Sequence, residues 1–328
     1  MNKNIKLLIN YFLAPVIFIV LSWSLYYQLR QQPDLALRWA YIKTGWAQGK
    51  FWVVMLLMLI NWGIEARKWQ VLVQHVQQFS LWRAFKSVLS GCSVTMLTPN
   101  RMGEYGGRIL YINEGNRIKA ISLTIAGSIS QLLVTLVLGS VGLFYLRYLS
   151  HTDSSSLAVL PHFWGDVLIY LSVGITVLVF LFYWRLGWLV RVIEKVPAFS
   201  KAIQHISVLN ELNNSRLLRI VSLSLVRYLV FVLQYILLLQ VMQVHIPFVV
   251  CFWLIAVFYL LMAVAPTIGF VELPIRVTAS WTLLHLYTAN ELGVGTAALG
   301  IWLINLVLPA ILGSLLLLRI KILKVKNE

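Results

Sequence analysis

Two short polar segments interrupt apolar sequence and carry residue types that can bind a charged group. The first runs from Thr98 to Arg108 and the second from Ala265 to Arg276. Each contains a proline, then a glycine, then a glutamate, with an arginine four residues after the glutamate. Arginine offers phosphate a planar fork of N–H donors, and glutamate can receive an amine or balance an arginine. We therefore expect the two segments to form two halves of one site.

Five charged side chains are the candidate substrate-binding residues: Arg101, Glu104, Arg108, Glu272 and Arg276. Five further residues are expected to shape the backbone there: Thr98, Pro99, Gly103, Pro266 and Gly269. An ionisable group at the bilayer centre costs about 2.5–3.5 kcal/mol, so these charges must pair or line a wet cavity. The i,i+4 spacing lets Glu104 pair with Arg108, and Glu272 with Arg276 if the helix already includes Glu272. The alternative to substrate binding is a purely structural role, in which the ion pairs only hold the two hairpins together.

The composition indicates an integral membrane protein. Of 328 residues, 60% are hydrophobic and only 12% are charged, whereas about a quarter are charged in soluble domains. Several apolar stretches reach the roughly 20 residues that a spanning helix needs. The net charge of +16 comes from short basic tracts between these stretches, as membrane topology requires. We therefore expect no nucleic-acid partner.

The predicted fold is all-α, with about six transmembrane helices and two re-entrant helical hairpins. The spans are expected near residues 7–29, 51–64, 118–148, 167–184, 217–244 and 295–318. In the second span, Glu65, Arg67 and Lys68 are expected to mark the cytoplasmic end. Basic residues before the first span and after the last place both termini in the cytoplasm and the chain in the cell (inner) membrane. Residues 30–50 form either an outer interfacial helix or a basic loop.

Each polar segment is expected to interrupt the helical structure within one hairpin. Short helices are expected at 81–97 and 99–113 around the first break, and at 248–264 and 273–287 around the second. Irregular backbone survives at that depth only inside protein or beside a water-filled cavity. The order of span, short helix, break, short helix and span occurs in 51–148 and again in 217–320, with opposite orientation. Inverted repeats with broken helices are typical of transporters.

Residues 1–328 are therefore expected to form a single membrane domain. It comprises the first span and outer segment (1–50), the first repeat (51–148), a connecting span with a basic cytoplasmic loop (149–216), and the second repeat (217–320).

Sequence signatures of catalysis and metal binding are missing. The six histidines form no His-x-x-x-His pair, and the two cysteines lack metal-ligand spacing. We find neither a Gly-x-Ser-x-Gly elbow nor a phosphate-binding Gly-Lys-Ser/Thr loop. We expect no catalytic residue, metal or cofactor, and Cys92 and Cys251 should be unpaired core residues. Glu104 and Glu272 could still act as general acid and base, so a membrane transferase stays open, as does a scaffold subunit of a cell-envelope enzyme.

The first segment, Thr-Pro-Asn-Arg-Met-Gly-Glu at 98–104, resembles the Thr-Pro-Gly-Arg-x-Gly-Glu element of the lysylphosphatidylglycerol synthase transmembrane region. It also resembles that element in the flippase-like membrane proteins related to this region. Residues 266–276 resemble the family's second Pro–Gly–Glu element, and the resemblance covers about 51–318. The synthases carry a soluble aminoacyl-transfer domain after the membrane region, whereas only residues 319–328 follow here. The positions carried over from the family are Arg101, Glu104, Glu272 and Arg276.

The resemblance implies lipid translocation without lipid synthesis. We predict a flippase- or scramblase-like protein that moves a polar or charged-headgroup lipid between leaflets through a mid-membrane polar cavity. Its partners are membrane lipids, and homo-oligomerisation stays open. With no visible ATP site, movement is either passive or driven by an ion gradient through glutamate protonation.

Overall fold

The computed structural model describes residues 40, 43–95, 98, 103–152, 162–185, 207–264 and 272–318. Within these ranges, all regular elements are helices. The α-helices are α1 Gly49–Val73, α2 Leu81–Thr95, α3 Gly103–Ile109, α4 Arg117–Thr152, α5 His162–Trp184, α6 Asn214–Val241, α7 Phe248–Val264, α8 Glu272–Leu284, α9 Glu291–Trp302 and α10 Leu308–Leu318. A π-helical stretch, Leu303–Val307, joins α9 to α10, and short 3-10 helices occupy Gly45–Ala47, Glu114–Asn116 and Ser207–Glu211.

Among the described residues, five helical segments are long and apolar enough to cross a membrane. They are Gly49–Val73, Glu114–Leu149, Gly165–Trp184, Asn214–Val241 and Glu291–Leu317. These segments correspond to the last five of the six predicted spans. The first predicted span, at 7–29, and most of the outer segment at 30–50 lie outside the described residues, as does the basic tract at 319–328.

Short helices flank both polar segments, as the hydropathy predicts. Before the first segment α2 ends at Thr95, and after it α3 ends at Ile109, four residues before the predicted end at 113. The hydroxyl of Thr98 accepts a hydrogen bond of 2.6 Å from the backbone N–H of Gly103, which ties Thr98 to the start of α3. In the second segment α8 begins at Glu272 and ends at Leu284. Residues 99–102 and 265–271 lie outside the described ranges.

The helix of the second predicted span does not end at its charged residues, and where this helix leaves the membrane stays a prediction. α1 continues from the apolar stretch through to Val73, and Glu65 and Lys68 are buried within it. Such burial is tolerated because other helices bring opposite charges to these side chains, as described below.

The first helices of the two predicted repeats, α1 and α6, pack side by side in opposite directions. Gln234 of α6 donates a 2.9 Å hydrogen bond to the carbonyl of Val54, near the start of α1. Two turns further along α1, the Asn61 side chain accepts a 2.8 Å hydrogen bond from Arg227. Residue numbers rise along one helix as they fall along the other, so the two helices are antiparallel.

Each of the short helices α2 and α7 packs closely against a long helix of the other predicted repeat. A Cβ atom on Gly139 of α4 would lie 2.6 Å from the Cβ of Leu260 in α7. On Gly313 of α10, a Cβ atom would overlap the carbonyl oxygen of Leu89 in α2. Only a residue without a side chain lets helix backbones approach this closely. The two halves are therefore interlocked by reciprocal contacts.

A polar contact joins the α1–α2 connection to the start of α6. The Asn213 side chain caps α6 by accepting a 3.1 Å hydrogen bond from the Arg216 N–H. The Arg216 guanidinium in turn lies 3.0 Å from the Nδ1 atom of His75. Partial burial, followed by this neighbouring cation, lowers the pKa of His75, because both disfavour the imidazolium form.

Cys92 and Cys251 are both buried and neither forms a disulfide, as predicted.

We expect Gly313→Ala to destabilise the protein. The added methyl group would overlap backbone of α2, and overpacking of this kind costs about 1–3 kcal/mol. The matched control is Gly174→Ala in α5, where a Cβ atom would have no neighbour within 4 Å. Thermal unfolding in detergent should show a lower melting temperature for Gly313→Ala alone. Equal melting temperatures for the two variants would contradict the close α2–α10 contact.

Candidate functional site

The carboxylate of Glu65 in α1 binds cations from three helices. Its Oε1 atom accepts a 2.7 Å hydrogen bond from Arg108 of α3. Its Oε2 atom lies 2.8 Å from the Nζ atom of Lys68, one turn further along α1, and 3.1 Å from Arg227 of α6. Arg108 also pairs with Glu104 on its own helix. We call these five residues the charge cluster.

The charge cluster is nearly closed to its surroundings. The side chains of Lys68 and Arg108 are 2% exposed and that of Glu65 is 5% exposed, whereas that of Glu104 is 29% exposed. Glu104 is therefore the member through which a ligand could reach Arg108. The cluster contains two carboxylates and three basic groups, so it has one surplus positive charge when all of them are ionised.

Packing fixes the position of Arg108. Its guanidinium lies 5.2 Å from the ring centre of Trp69. The indole N–H of Trp69 donates a 3.0 Å hydrogen bond to Ser87 of α2, and the Ser87 hydroxyl donates to the carbonyl of Arg108. At Gly107, a Cβ atom would overlap the carbonyl oxygen of Ser90. α3 thus packs directly against α2, and the Arg108 side chain extends to α1.

Arg227 joins the charge cluster from α6. Its Nε atom donates to Asn61 at 2.8 Å, and its Nη1 atom donates to Gln131 of α4 at 3.4 Å. The guanidinium also lies 5.6 Å from the ring centre of Trp62 and 5.1 Å from that of Phe231. These partners hold the third cation in a fixed orientation beside Glu65.

The second polar segment forms a separate ion pair, as predicted from its spacing. Arg276 donates a 2.7 Å hydrogen bond to Glu272, which is the first residue of α8. The carbonyl of Arg276 accepts from Ser280, whose hydroxyl lies 2.6 Å from that of Tyr235 in α6. The guanidinium lies 6.0 Å from the ring centre of Phe258 in α7. Both charged side chains are buried.

The charge cluster and the Glu272–Arg276 pair both lie beside α6, at different positions along its axis. Arg227 contributes to the charge cluster, and Tyr235, beside the second pair, lies about 12 Å further along α6 at about 1.5 Å per residue. Between them the buried Gln234 accepts a 2.9 Å hydrogen bond from Asn305. Asn305 lies in the π-helical stretch, and such stretches often occur at functional sites. Gln234 and Asn305 thus add a buried polar contact to α6 next to the second ion pair.

Four of the predicted charged residues lie in these two groups: Glu104, Arg108, Glu272 and Arg276. The predicted backbone residues Thr98 and Gly103 hydrogen-bond to each other at the start of α3, where a Cβ atom on Gly103 would overlap the α2 backbone. The other predicted positions, Pro99, Arg101, Pro266 and Gly269, lie outside the described residues.

Sequence reasoning missed three members of the charge cluster, namely Glu65, Lys68 and Arg227. The first two resemble the charged end of a span, and only their spacing of three residues on a helix hints at a pair. Arg227 carried a clearer signal, because it stands alone within an apolar helix. An ionisable residue in such a place is by default a candidate for function.

A buried charge cluster inside a bundle with five apolar spans defines a multi-pass, all-helical membrane protein. The chain belongs to the family described as the lysylphosphatidylglycerol synthase TM region, whose family model matches residues 11–313. This match confirms the resemblance drawn from the two polar segments. No curated protein and no solved structure matches the chain.

We expect Glu65→Gln to impair folding more than any other single change of a carboxylate in the cluster. Removing one partner of a buried ion pair costs about 3–5 kcal/mol, because the remaining charges lose their compensation. Glu114→Gln is the control, since Glu114 is 87% exposed and lies 3.8 Å from its partner. Thermal unfolding in detergent should rank Glu65→Gln below Glu104→Gln, with Glu114→Gln close to the unchanged protein. A melting temperature for Glu65→Gln equal to that of the control would contradict the central role of Glu65.

Proposed function

We propose that the protein translocates a polar lipid with a charged headgroup between the two leaflets of the membrane. The observation that carries this proposal is the buried charge cluster with one member, Glu104, partly exposed. Buried cations in a membrane protein are expensive, so their presence favours a role in guiding a substrate. The headgroup would exchange partners with these charges while the acyl chains stay in lipid.

The guanidinium of Arg108 is the group best suited to a headgroup phosphate, because it offers several donors in one plane. In the resting protein it pairs with Glu104 and Glu65. A phosphate that enters beside Glu104 can pair with Arg108, and competition by the Glu104 carboxylate for the same guanidinium then releases the phosphate. Arg276, paired with Glu272 in α8, would receive the headgroup at the other height along α6.

We further propose that the two halves are inverted repeats, each with a re-entrant hairpin. The antiparallel packing of α1 on α6 supports opposite orientations for the helices that begin the two halves. The reciprocal contacts of α2 with α10 and of α7 with α4 support two related halves that exchange packing partners. Broken helices that meet within such repeats are a common device for binding polar substrates inside a membrane.

Reconstitution in liposomes tests lipid movement directly. The protein is incorporated into vesicles that contain a fluorescent phospholipid, and dithionite then bleaches the label in the outer leaflet. The unchanged protein should make nearly all of the label accessible. Glu104→Gln should slow this movement about tenfold or more, because a neutral side chain displaces a bound phosphate poorly and a charge-assisted hydrogen bond is worth about 1.5–3 kcal/mol.

Glu114→Gln, on the exposed turn after α3, is the matched control and should leave the rate unchanged. Chromatography of the lipids after the assay separates the alternatives. A chemically new lipid would indicate a transferase, whereas a scaffold subunit would neither move nor change the lipid. Vesicles with the unchanged protein that bleach no further than empty vesicles would contradict the proposal.

Cysteine labelling tests the proposed orientation, in which both termini face the cytoplasm of an inner-membrane protein. Ser215 and His245 are exposed near opposite ends of α6. The native cysteines are buried and should stay unlabelled. A membrane-impermeant maleimide added to intact spheroplasts should label His245→Cys and leave Ser215→Cys unlabelled until the cells are lysed. The reverse pattern would contradict the orientation.

A further inference from the structure

Lys68 differs from the other cations of the charge cluster in one respect: it can give up its proton. An arginine guanidinium stays protonated in proteins, so Arg108 and Arg227 carry fixed charges. A lysine amine can be neutral when its surroundings disfavour the ammonium form. Because the cluster holds one positive charge in excess of its two carboxylates when all its members are ionised, loss of this proton makes it neutral.

The contacts of Lys68 suit a neutral amine as well as an ammonium. Its Nζ atom lies 2.8 Å from Glu65 and 3.5 Å from the carbonyl of Gly127 in α4. A neutral amine has two N–H groups and can keep both contacts. The side chain is 2% exposed, and burial of an uncompensated charge is costly. The buried site is therefore compatible with the neutral form.

The charged groups around Lys68 come from three helices. Glu65 lies on its own helix, Arg108 on α3 and Arg227 on α6, and Glu104 acts on it through Arg108. The neighbouring part of α4 contributes an uncharged carbonyl. Arg108 and Arg227 thus disfavour the ammonium form of Lys68, and Glu65 favours it. A change at Glu104 or Arg108 therefore alters the balance between the charged and neutral forms of Lys68.

We propose that Lys68 is a proton-binding site that responds to the headgroup. Lys68 is neutral in the empty cluster, and it takes one proton from solvent when an anionic, phosphate-bearing headgroup binds Arg108 beside Glu104, which stays in the cluster as a carboxylate. A new N–H bond forms at Nζ, and no covalent bond of the lipid changes. This proposal rests on the proposed function, since the headgroup enters the same cluster.

The charge balance follows directly. Before binding, two arginines balance two glutamates. The headgroup brings one negative charge and the proton brings one positive charge, so the net charge of the cluster is again zero. Since binding takes up a proton, affinity for an anionic headgroup should be higher at lower pH. It should weaken by up to about tenfold per pH unit as the pH rises.

Isothermal titration calorimetry can count the protons. The full-length protein in detergent is titrated with dihexanoyl phosphatidylglycerol as the anionic probe, in two buffers of different ionisation enthalpy. The difference in heat gives the protons taken up per lipid bound. The unchanged protein should take up close to one proton, whereas Lys68→Met and Lys68→Arg should take up close to none. Dihexanoyl phosphatidylcholine, a zwitterionic probe, should produce little proton uptake in any of them.

Lys50→Met is the control, because Lys50 is exposed and donates a single hydrogen bond to Gln240; it should behave like the unchanged protein. Lys68→Gln serves as a second variant if Lys68→Met fails to fold. The inference is overturned if the unchanged protein binds the probe without proton uptake, if it does not bind the probe, or if the Lys68 variants take up as many protons. Binding with proton uptake but no lipid movement in liposomes would instead contradict the proposed function and leave this inference standing.

Discussion

One buried carboxylate, that of Glu65, is the interaction on which the arrangement of the central helices depends. It contacts a basic side chain from its own helix, one from α3 and one from α6. Charges this deeply buried are stable only together, because each would be costly alone. The short helix α3 contributes few apolar side chains. Its position therefore depends on the ion pairs of Arg108 and on the hydrogen bonds from Trp69 to Ser87 and from Ser87 to the Arg108 carbonyl.

Much of the helical organisation could be predicted from hydropathy, because a bilayer demands long apolar helices whatever their neighbours are. The pairs Glu104–Arg108 and Glu272–Arg276 could be predicted too, because spacing on one helix determines them. The sequence did not allow us to predict which residues form the charge cluster. The pairing of Glu65 with Arg227 joins helices far apart in sequence, and no local pattern distinguishes Glu65 from a charge at the end of a span.

The same reasoning explains where two of the helices end. The second span was expected to reach the cytoplasm at its charged residues, since exposed charges usually mark the water interface. Compensation by Arg108 and Arg227 removes that constraint, and the helix continues to Val73. α3 instead ends early, at Ile109, where the Tyr111 carbonyl accepts hydrogen bonds from Gln77 and Arg83. Tertiary contacts outweigh local propensity at both places.

The glycine contacts between α2 and α10 and between α7 and α4 restrict the motions available to the protein. Backbones that touch without intervening side chains cannot slide past each other without a clash. α2 is therefore coupled to α10, and α7 to α4, across the two predicted repeats. A displacement of either short helix must move its partner in the other predicted repeat as well, so neither repeat can shift as an independent unit.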